Sequence, residues 1–409
     1  MDTIELELTD IAHGGSCVGH LDGRAVFARF GLPGETVRIK VTKEKAKLIE
    51  GDVVEVIANS SPYRIEHPWP AAGPLGVGGA ELGHVAFGYQ SVWKTHVLQA
   101  SIRRVGGESL TQHLESQGIT PEVHFFDDDA ATSGWHTRTR VEFVVDPNGQ
   151  LAMYREGTHD LIAVSEQPHA VEQIDELDLF SGAWREWWTP GERVRAVVPS
   201  GSDPIAVLGR RTFAFPGVEV DPYVREDVVV DGSLYAYRVH ATGFWQVHKR
   251  AAEQIIRMVT KAAGAAEGEN VVELYSGAGL LTQPLAIAVG SSGSVRAFEG
   301  ARQAVEDARA NLRELPWAKA RTSRVDAKLI EWEPADIVVA DPPRTGLGLD
   351  VAGAIAKGPA RRIVLVSCDP AAMARDVAAM VEAGRKVVAM DSIDMFPNTH
   401  HFEVVTALD

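Results

Sequence analysis

The sequence predicts an α/β fold: a parallel sheet wound with helices in the C-terminal part, a small β-barrel at the N-terminus, and a mixed α+β stretch between them. Three observations carry this. From residue 236 onward, short apolar strands alternate with amphipathic helical runs, the pattern of right-handed βαβ units around a parallel sheet. The first 62 residues instead hold closely spaced, alternating strands separated by Gly-rich turns. The chain has 409 residues, 45% hydrophobic and 23% charged, which suits a soluble protein of two or three domains.

Taken in order, TIELELTDI, RAVFARF, TVRIKVTK and GDVVEVI alternate as strands, with turns at HGG, LDG and GLPGE. This spacing predicts an OB-type barrel over residues 1–62. SPYRIEHPWP breaks the pattern and opens a central α+β domain, residues 63–235. There, SVWKTHVLQASIRRVG reads as a helix. TRVEFVVDPNGQLAMYRE reads as a hairpin turning on Asp146-Pro147-Asn148-Gly149, and Val171 to Trp188 reads as helical. In residues 236–409, strands NVVELY, SVRAF, IVVA, RIVLVS and KVVAMDSI alternate with helices from HKRAAEQIIRMVTKAA to PAAMARDVAAMVEAG.

Composition sets limits on function. The net charge of −16 argues against broad, non-specific nucleic-acid binding, which needs Lys and Arg. Local basic runs remain: RIKVTKEKAK, the alternating His136, Arg138 and Arg140, and the pair Arg210-Arg211. On their own these read as solvated faces. No stretch approaches the roughly 18 apolar residues that span a bilayer. The start MDTIELELTD lacks the order of a signal peptide, so a cytoplasmic location is expected, with no membrane partner. Two cysteines, Cys17 and Cys368, cannot build a disulfide framework or a four-thiolate cluster. His13, Cys17 and His20 offer three ligands in a Gly-rich loop that a barrel turn already explains, so no metal is expected.

In parallel sheets the ligand lies beyond the carboxyl ends of the strands. The first strand ends in ELYSGAGLLT, where Gly277 and Gly279 suit either a tight turn or a cofactor loop. The second ends at Glu299, an acid able to accept hydrogen bonds from ribose hydroxyls. The third glycine of a dinucleotide fingerprint is missing, which fits an adenosyl ligand without a pyrophosphate. Asp326 is either an adenine contact or a solvated loop acid. Asp341 opens a rigid Asp-Pro-Pro-Arg loop after the fourth strand. Cys368 follows the fifth, directly before Asp369 as N-cap and Pro370 as first helical residue. A helix N-terminus is expected to lower the thiol pKa. Glu403 follows a His-rich turn and opens the last strand.

Together these strand ends resemble the RNA 5-methyluridine methyltransferase family, over most of the chain. The motifs are FWQVH, ELYSGAGLLT, FEG, DPPRTGL, VSCDPAAMARD and DMFPNTHHFE, with DPPR and SCDP in tandem the most specific. GSCVGHLDGRAVFARFGLPGETVRIKV is similar to a TRAM domain, the RNA-binding barrel of many members. The resemblance implies a Rossmann-like class I methyltransferase domain and S-adenosyl-L-methionine as methyl donor. It implies donor-binding roles for Gln246, Tyr275, Glu299 and Asp341, and an adenine contact at Asp326. Cys368 becomes the nucleophile and Glu403 the general base. An RNA substrate follows, with ribosomal RNA favoured over transfer RNA and transfer RNA left open; the oligomeric state stays open too.

One departure stands out. Many members hold an iron–sulfur cluster through four cysteines after the barrel. Here EHPWPAAGPLGVGGAELGHVAFGYQ has none, so no cluster is expected. The competing readings are an amino-group methyltransferase acting on adenine without a thiolate, and a non-catalytic RNA-binding protein. A nicotinamide oxidoreductase is disfavoured by the missing glycine and by SCDP.

Overall fold

Alternating burial turns one face of each N-terminal strand inward: β1 (Thr3–Ala12), β2 (Ser16–Leu21), β3 (Arg24–Arg29), β4 (Thr36–Lys45) and β5 (Leu48–Ala58). The structure is a computed structural model describing residues 3–409; Met1 and Asp2 of the predicted barrel lie outside the described residues. The five strands close in the order β1-β2-β3-β5-β4, which leaves no free edge. Leu8, Val26, Val37 and Ile39 are fully buried inside, each contributing about 1.5–3 kcal/mol. The basic run lies on the outside, where Arg38 pairs with Glu5 and Glu55, and Lys43 with Glu50.

The hairpin on Asp146 forms as expected, between β7 (Arg140–Val145) and β8 (Leu151–Tyr154), because the Asp146 carboxylate accepts from the Asn148 and Gln150 amides. Before it come α1 (Phe87–Ser101), a π-helical turn over Ile102–Gly106, α2 (Gly107–Ser116) and β6 (Val123–Phe125). After it, β9 (Leu161–Ala163), β10 (Arg193–Val197), β11 (Ile205–Leu208), β12 (Arg211–Phe215) and β13 (Val218–Glu219) complete a seven-stranded antiparallel sheet. The helix expected over Val171–Trp188 is absent. Only a 3-10 turn at Glu172–Leu177 forms, because Asp178 (φ 50°) and Gly182 (φ 92°) bend the chain so that Leu179 and Trp184 can pack on the sheet.

The alternating pattern of the C-terminal part becomes a helix-flanked, mainly parallel sheet. A hairpin of β14 (Tyr223–Val230) and β15 (Ser233–His240) leads to α3 (Ala251–Ala263). Then follow β16 (Asn270–Leu274), α4 (Thr282–Val289), β17 (Ser294–Glu299), α5 (Arg302–Asn311), β18 (Ala318–Thr322), α6 (Ala327–Trp332) and β19 (Ile337–Ala340). The chain ends with α7 (Leu349–Lys357), β20 (Arg362–Ser367), α8 (Pro370–Glu382), β21 (Val387–Asp394) and β22 (Glu403–Leu408). The sheet order is β18-β17-β16-β19-β20-β22-β21-β6. The first five strands are parallel, and β22 runs antiparallel between β20 and β21. The order reverses between β16 and β19, the switch point where such sheets bind ligands. β6, from the middle of the sequence, adds the far edge. Among the described residues no helix is long and apolar enough to cross a membrane.

Candidate active site

Strand direction assembles the site. The carboxyl ends of β16, β17, β19 and β20 bring Tyr275, Glu299, Asp341 and Cys368 to one edge of the sheet. Glu403 reaches that edge by the opposite logic. It starts its strand, but β22 is antiparallel to β20, and Ser367 pairs with Val404. The next residue on one strand, Cys368, therefore stands beside the preceding residue on the other, Glu403.

The loop after β16 turns sharply: Tyr275, Gly277 and Gly279 all have positive φ (62°, 52° and 89°). Glu299 fastens that loop, since its carboxylate accepts from Gly277 N–H (3.1 Å) and Ala301 N–H (2.8 Å). Each oxygen keeps a lone pair for a further donor. Gln246 is buried in the segment after β15. Its neighbour Trp245 packs on Tyr237, whose hydroxyl donates to Leu280 O in the glycine loop. Asp326 stands apart: it is exposed and caps α6, accepting from Leu329 N–H at 2.9 Å.

Burial raises the proton affinity of the acids here. Glu273, the acid inside β16, is pushed up to about 8 by burial, with Asp341 and Glu299 adding. Burial also raises Asp341, and it raises Glu403 well above the carboxylate range, with Asp341 adding and Arg344 opposing. One oxygen each of Glu273 and Glu403 has no partner among the described residues.

The α8 N-terminus forms as expected: Asp369 accepts from Ala372 N–H at 2.8 Å, and Pro370 opens the helix. The expected lowering of the Cys368 pKa does not follow. Burial pushes the thiol up to about 12, the charges of Glu403 and Asp341 add to this, and only Arg344 and a backbone hydrogen bond oppose it. Desolvation and two carboxylates outweigh the helix terminus.

The barrel also reaches this corner. In the β1–β2 turn, His13 Nε2 lies 3.3 Å from Asp369 Oδ2. Gly15 packs so closely that a Cβ there would sit 2.6 Å from Glu81 Cγ and 3.4 Å from His400 Cβ. Glu81 accepts from the His400 backbone N–H (2.8 Å) and pairs with its ring. Cys17 is not near any of this; it is sealed in the barrel with Sγ facing Gly31 O. Among the described residues no His, Cys, Asp and Glu group forms a metal-binding set.

Comparison with known proteins agrees with this architecture. Residues 2–54 match the TRAM domain family, and residues 318–409 match the tRNA (Uracil-5-)-methyltransferase family. A Bifidobacterium longum protein named an uncharacterized RNA methyltransferase is 34% identical, with 98% of this chain aligned to 95% of that one. This chain belongs to the RNA uracil-5 methyltransferase family. A Streptomyces coelicolor protein, also named an uncharacterized RNA methyltransferase, is 34% identical too, over 99% of this chain and 92% of its own. The fold is that of the Pyrococcus abyssi tRNA (uracil-54, C5)-methyltransferase, solved with S-adenosyl-L-homocysteine: TM-score 0.69, 19% identity, 99% of this chain and 100% of that one.

The residues after the barrel do not fit the iron–sulfur cluster that the family resemblance raised. Residues 63–90 hold no cysteine, and Trp69, Ala72, Val77 and Ala80 are buried in the core of the central domain instead. Sequence reasoning passed over Glu273, gave Arg344 no role beyond its place in the Asp-Pro-Pro-Arg loop, and weighed His13 only as a metal ligand. Glu273 alone left a signal, as a charge within an otherwise apolar buried strand.

Proposed function

We propose that the enzyme transfers a methyl group from S-adenosyl-L-methionine to carbon 5 of a uridine in RNA, with Cys368 as nucleophile and Glu403 as base. The antiparallel pairing that sets Cys368 beside Glu403 at the switch-point edge is the observation that carries this reading. The donor's residues would be Gln246, Tyr275, Glu299 and Asp341, with the second oxygen of Asp326 reaching the adenine. The sheet edge suits a cationic sulfonium because one buried carboxyl oxygen each of Glu273 and Glu403 lacks a partner there. When bound, the donor would supply an electrophilic methyl, the sulfur–methyl bond breaking so that S-adenosyl-L-homocysteine is the leaving group.

The protein's own groups do the rest. The Cys368 thiolate forms a bond to carbon 6, and the ring electrons move to make carbon 5 nucleophilic. Once carbon 5 is methylated, Glu403 takes its remaining proton. The electrons of that C–H bond restore the ring double bond, the bond from sulfur to carbon 6 breaks, and the thiolate is released. The target base must leave any stack to reach a pocket at a sheet edge.

Cys368→Ala tests the reading. It should abolish methyl transfer while leaving donor binding intact by calorimetry. RNA carrying 5-fluorouridine should trap the unaltered enzyme as a covalent adduct at Cys368. Full activity of the alanine variant would instead favour amino-group methylation. The barrel favours ribosomal RNA as substrate, and a cytoplasmic location goes with it. Mass spectrometry of a deletion strain should show 5-methyluridine missing from ribosomal RNA; its loss from transfer RNA alone would reassign the substrate.

A further inference from the structure

Among the described residues the buried cations Lys94 and Arg140 are ion-paired, whereas the half-buried Arg138 near the site is not. Lys94 has Asp394 at 2.5 Å, and Arg140 has Glu226 at 2.8 Å. Arg138 has no hydrogen-bond or ion-pair partner for its guanidinium among the described residues, although both its backbone groups are used, with His169 and Val171. The side chain is walled in by neighbours yet keeps a partial opening to solvent. Burial pulls its pKa below the ordinary arginine range, and only Glu81 pushes back. That carboxylate is already engaged by His400. An enclosed guanidinium without a counter-anion is costly, so its retention points to an anion that arrives from outside.

Its position says which anion. Residues 133–139 lie between the two loops that frame the site. On one side, Thr139 N–H donates to Val247 O, and Lys249 N–H donates to Thr137 O, next to Gln246. On the other, Asn398 Nδ2 donates to Ser133 O, and a Cβ on Gly134 would lie 2.5 Å from Pro397, ahead of Glu403. Arg344 is among the charges that act on Cys368 and Glu403; Arg138 is not. The 133–139 segment thus sets Arg138 between the loop that carries Gln246 and the loop that leads to Glu403, on the flank of the site rather than among the groups that act on Cys368. We propose that Arg138 is an RNA-binding residue that grips a backbone phosphate next to the target uridine. A planar guanidinium fork matches two phosphate oxygens, and the partial burial strengthens the contact.

This deepens the proposed function and rests on its RNA substrate. The test uses the full-length enzyme and a short uridine-containing RNA, with Arg138→Met, which keeps side-chain volume and removes charge, and Arg138→Lys, which keeps charge and loses the fork. Arg138→Met should bind the RNA roughly ten-fold more weakly, and its plot of log affinity against log salt should flatten by about 0.7 to 1. Its kcat at saturating RNA, donor affinity and melting temperature should stay near the wild-type values. Arg138→Lys should keep the salt slope and recover part of the affinity. Wild-type affinity and slope in Arg138→Met would overturn the proposal. So would a fall in kcat with an unchanged slope, which would put the guanidinium on the base. If Arg138→Met does not fold, a salt slope in Arg138→Lys that falls as if a charge were lost would also overturn it. Cys368→Ala, run in parallel, should keep the full salt slope; its continued methylation would sink the uridine chemistry without touching the phosphate contact.

Discussion

The thiol of Cys368 stands among two carboxyl groups and one guanidinium, and burial has already pushed it up to about 12. At neutral pH the sulfur is therefore protonated, and burial, with Asp341 adding, also raises Glu403 well above the carboxylate range. The reaction needs both groups deprotonated, so both shifts act in the same sense: kcat/KM rises with pH. Arg344 opposes both shifts, so Arg344→Met should move the profile to higher pH. Each unit of further rise in the thiol pKa costs about ten-fold in thiolate. Rates measured from about pH 7 to 9 should show Arg344→Met most impaired at the acid end and partly restored at the alkaline end. A uniform loss across the range would remove Arg344 from the ionisation. Glu403→Gln should behave differently. It still allows sulfur addition and methylation but cannot take the carbon 5 proton, so it should accumulate a covalent enzyme–RNA complex on a denaturing gel. Prompt release of methylated RNA would contradict the base assignment. The residue types at these positions were legible in the sequence because motifs and strand ends coincide. The direction of the thiol shift was not, because it depends on two carboxylates brought in from other strands.

Elements were legible where local chemistry decides them. The Asp146-Pro147-Asn148-Gly149 turn and the Asp369 cap were read correctly because each is closed by side-chain bonds within four residues. Val171–Trp188 was misread because its apolar residues serve the sheet beneath rather than a helical stripe. The barrel turn was read as a turn and nothing more, since its packing partners Glu81 and His400 lie far along the chain, in other domains. A matched pair of variants isolates that docking. Gly14 and Gly15 share a left-handed backbone (φ 83° and 75°), so alanine costs both about the same strain, roughly 1 kcal/mol. Only at Gly15 does the new Cβ collide with a neighbour; at Gly14 nothing lies within 4 Å. Gly15→Ala should raise KM for RNA severalfold more than Gly14→Ala, with donor affinity equal in both. Equal KM values would mean that the turn carries no docking function.

At the scale of the whole molecule, side-chain packing joins the barrel to the central domain. An iron–sulfur cluster needs four thiolates, and this chain has two cysteines, one sealed in the barrel and one at the catalytic edge. After the barrel, aromatic and imidazole rings fill the junction: Trp135 lies 4.6 Å from His169 and 6.3 Å from His67, and Phe30 of the barrel lies 5.6 Å from His84. His67 also bonds Ala80 O and Trp69 N–H. Barrel and central domain are thus joined by ring contacts and by Arg64 on the buried Glu35, none of which needs a metal. The purified enzyme should be colourless and free of iron, and its melting temperature should not change with chelator or air. The prediction separates two sources of rigidity, because a cluster-held junction loosens on oxidation while a packed one does not. A visible absorbance band with stoichiometric iron would show that ligands from outside this chain complete a site, and would undo the packing account of how the barrel is held against the catalytic edge.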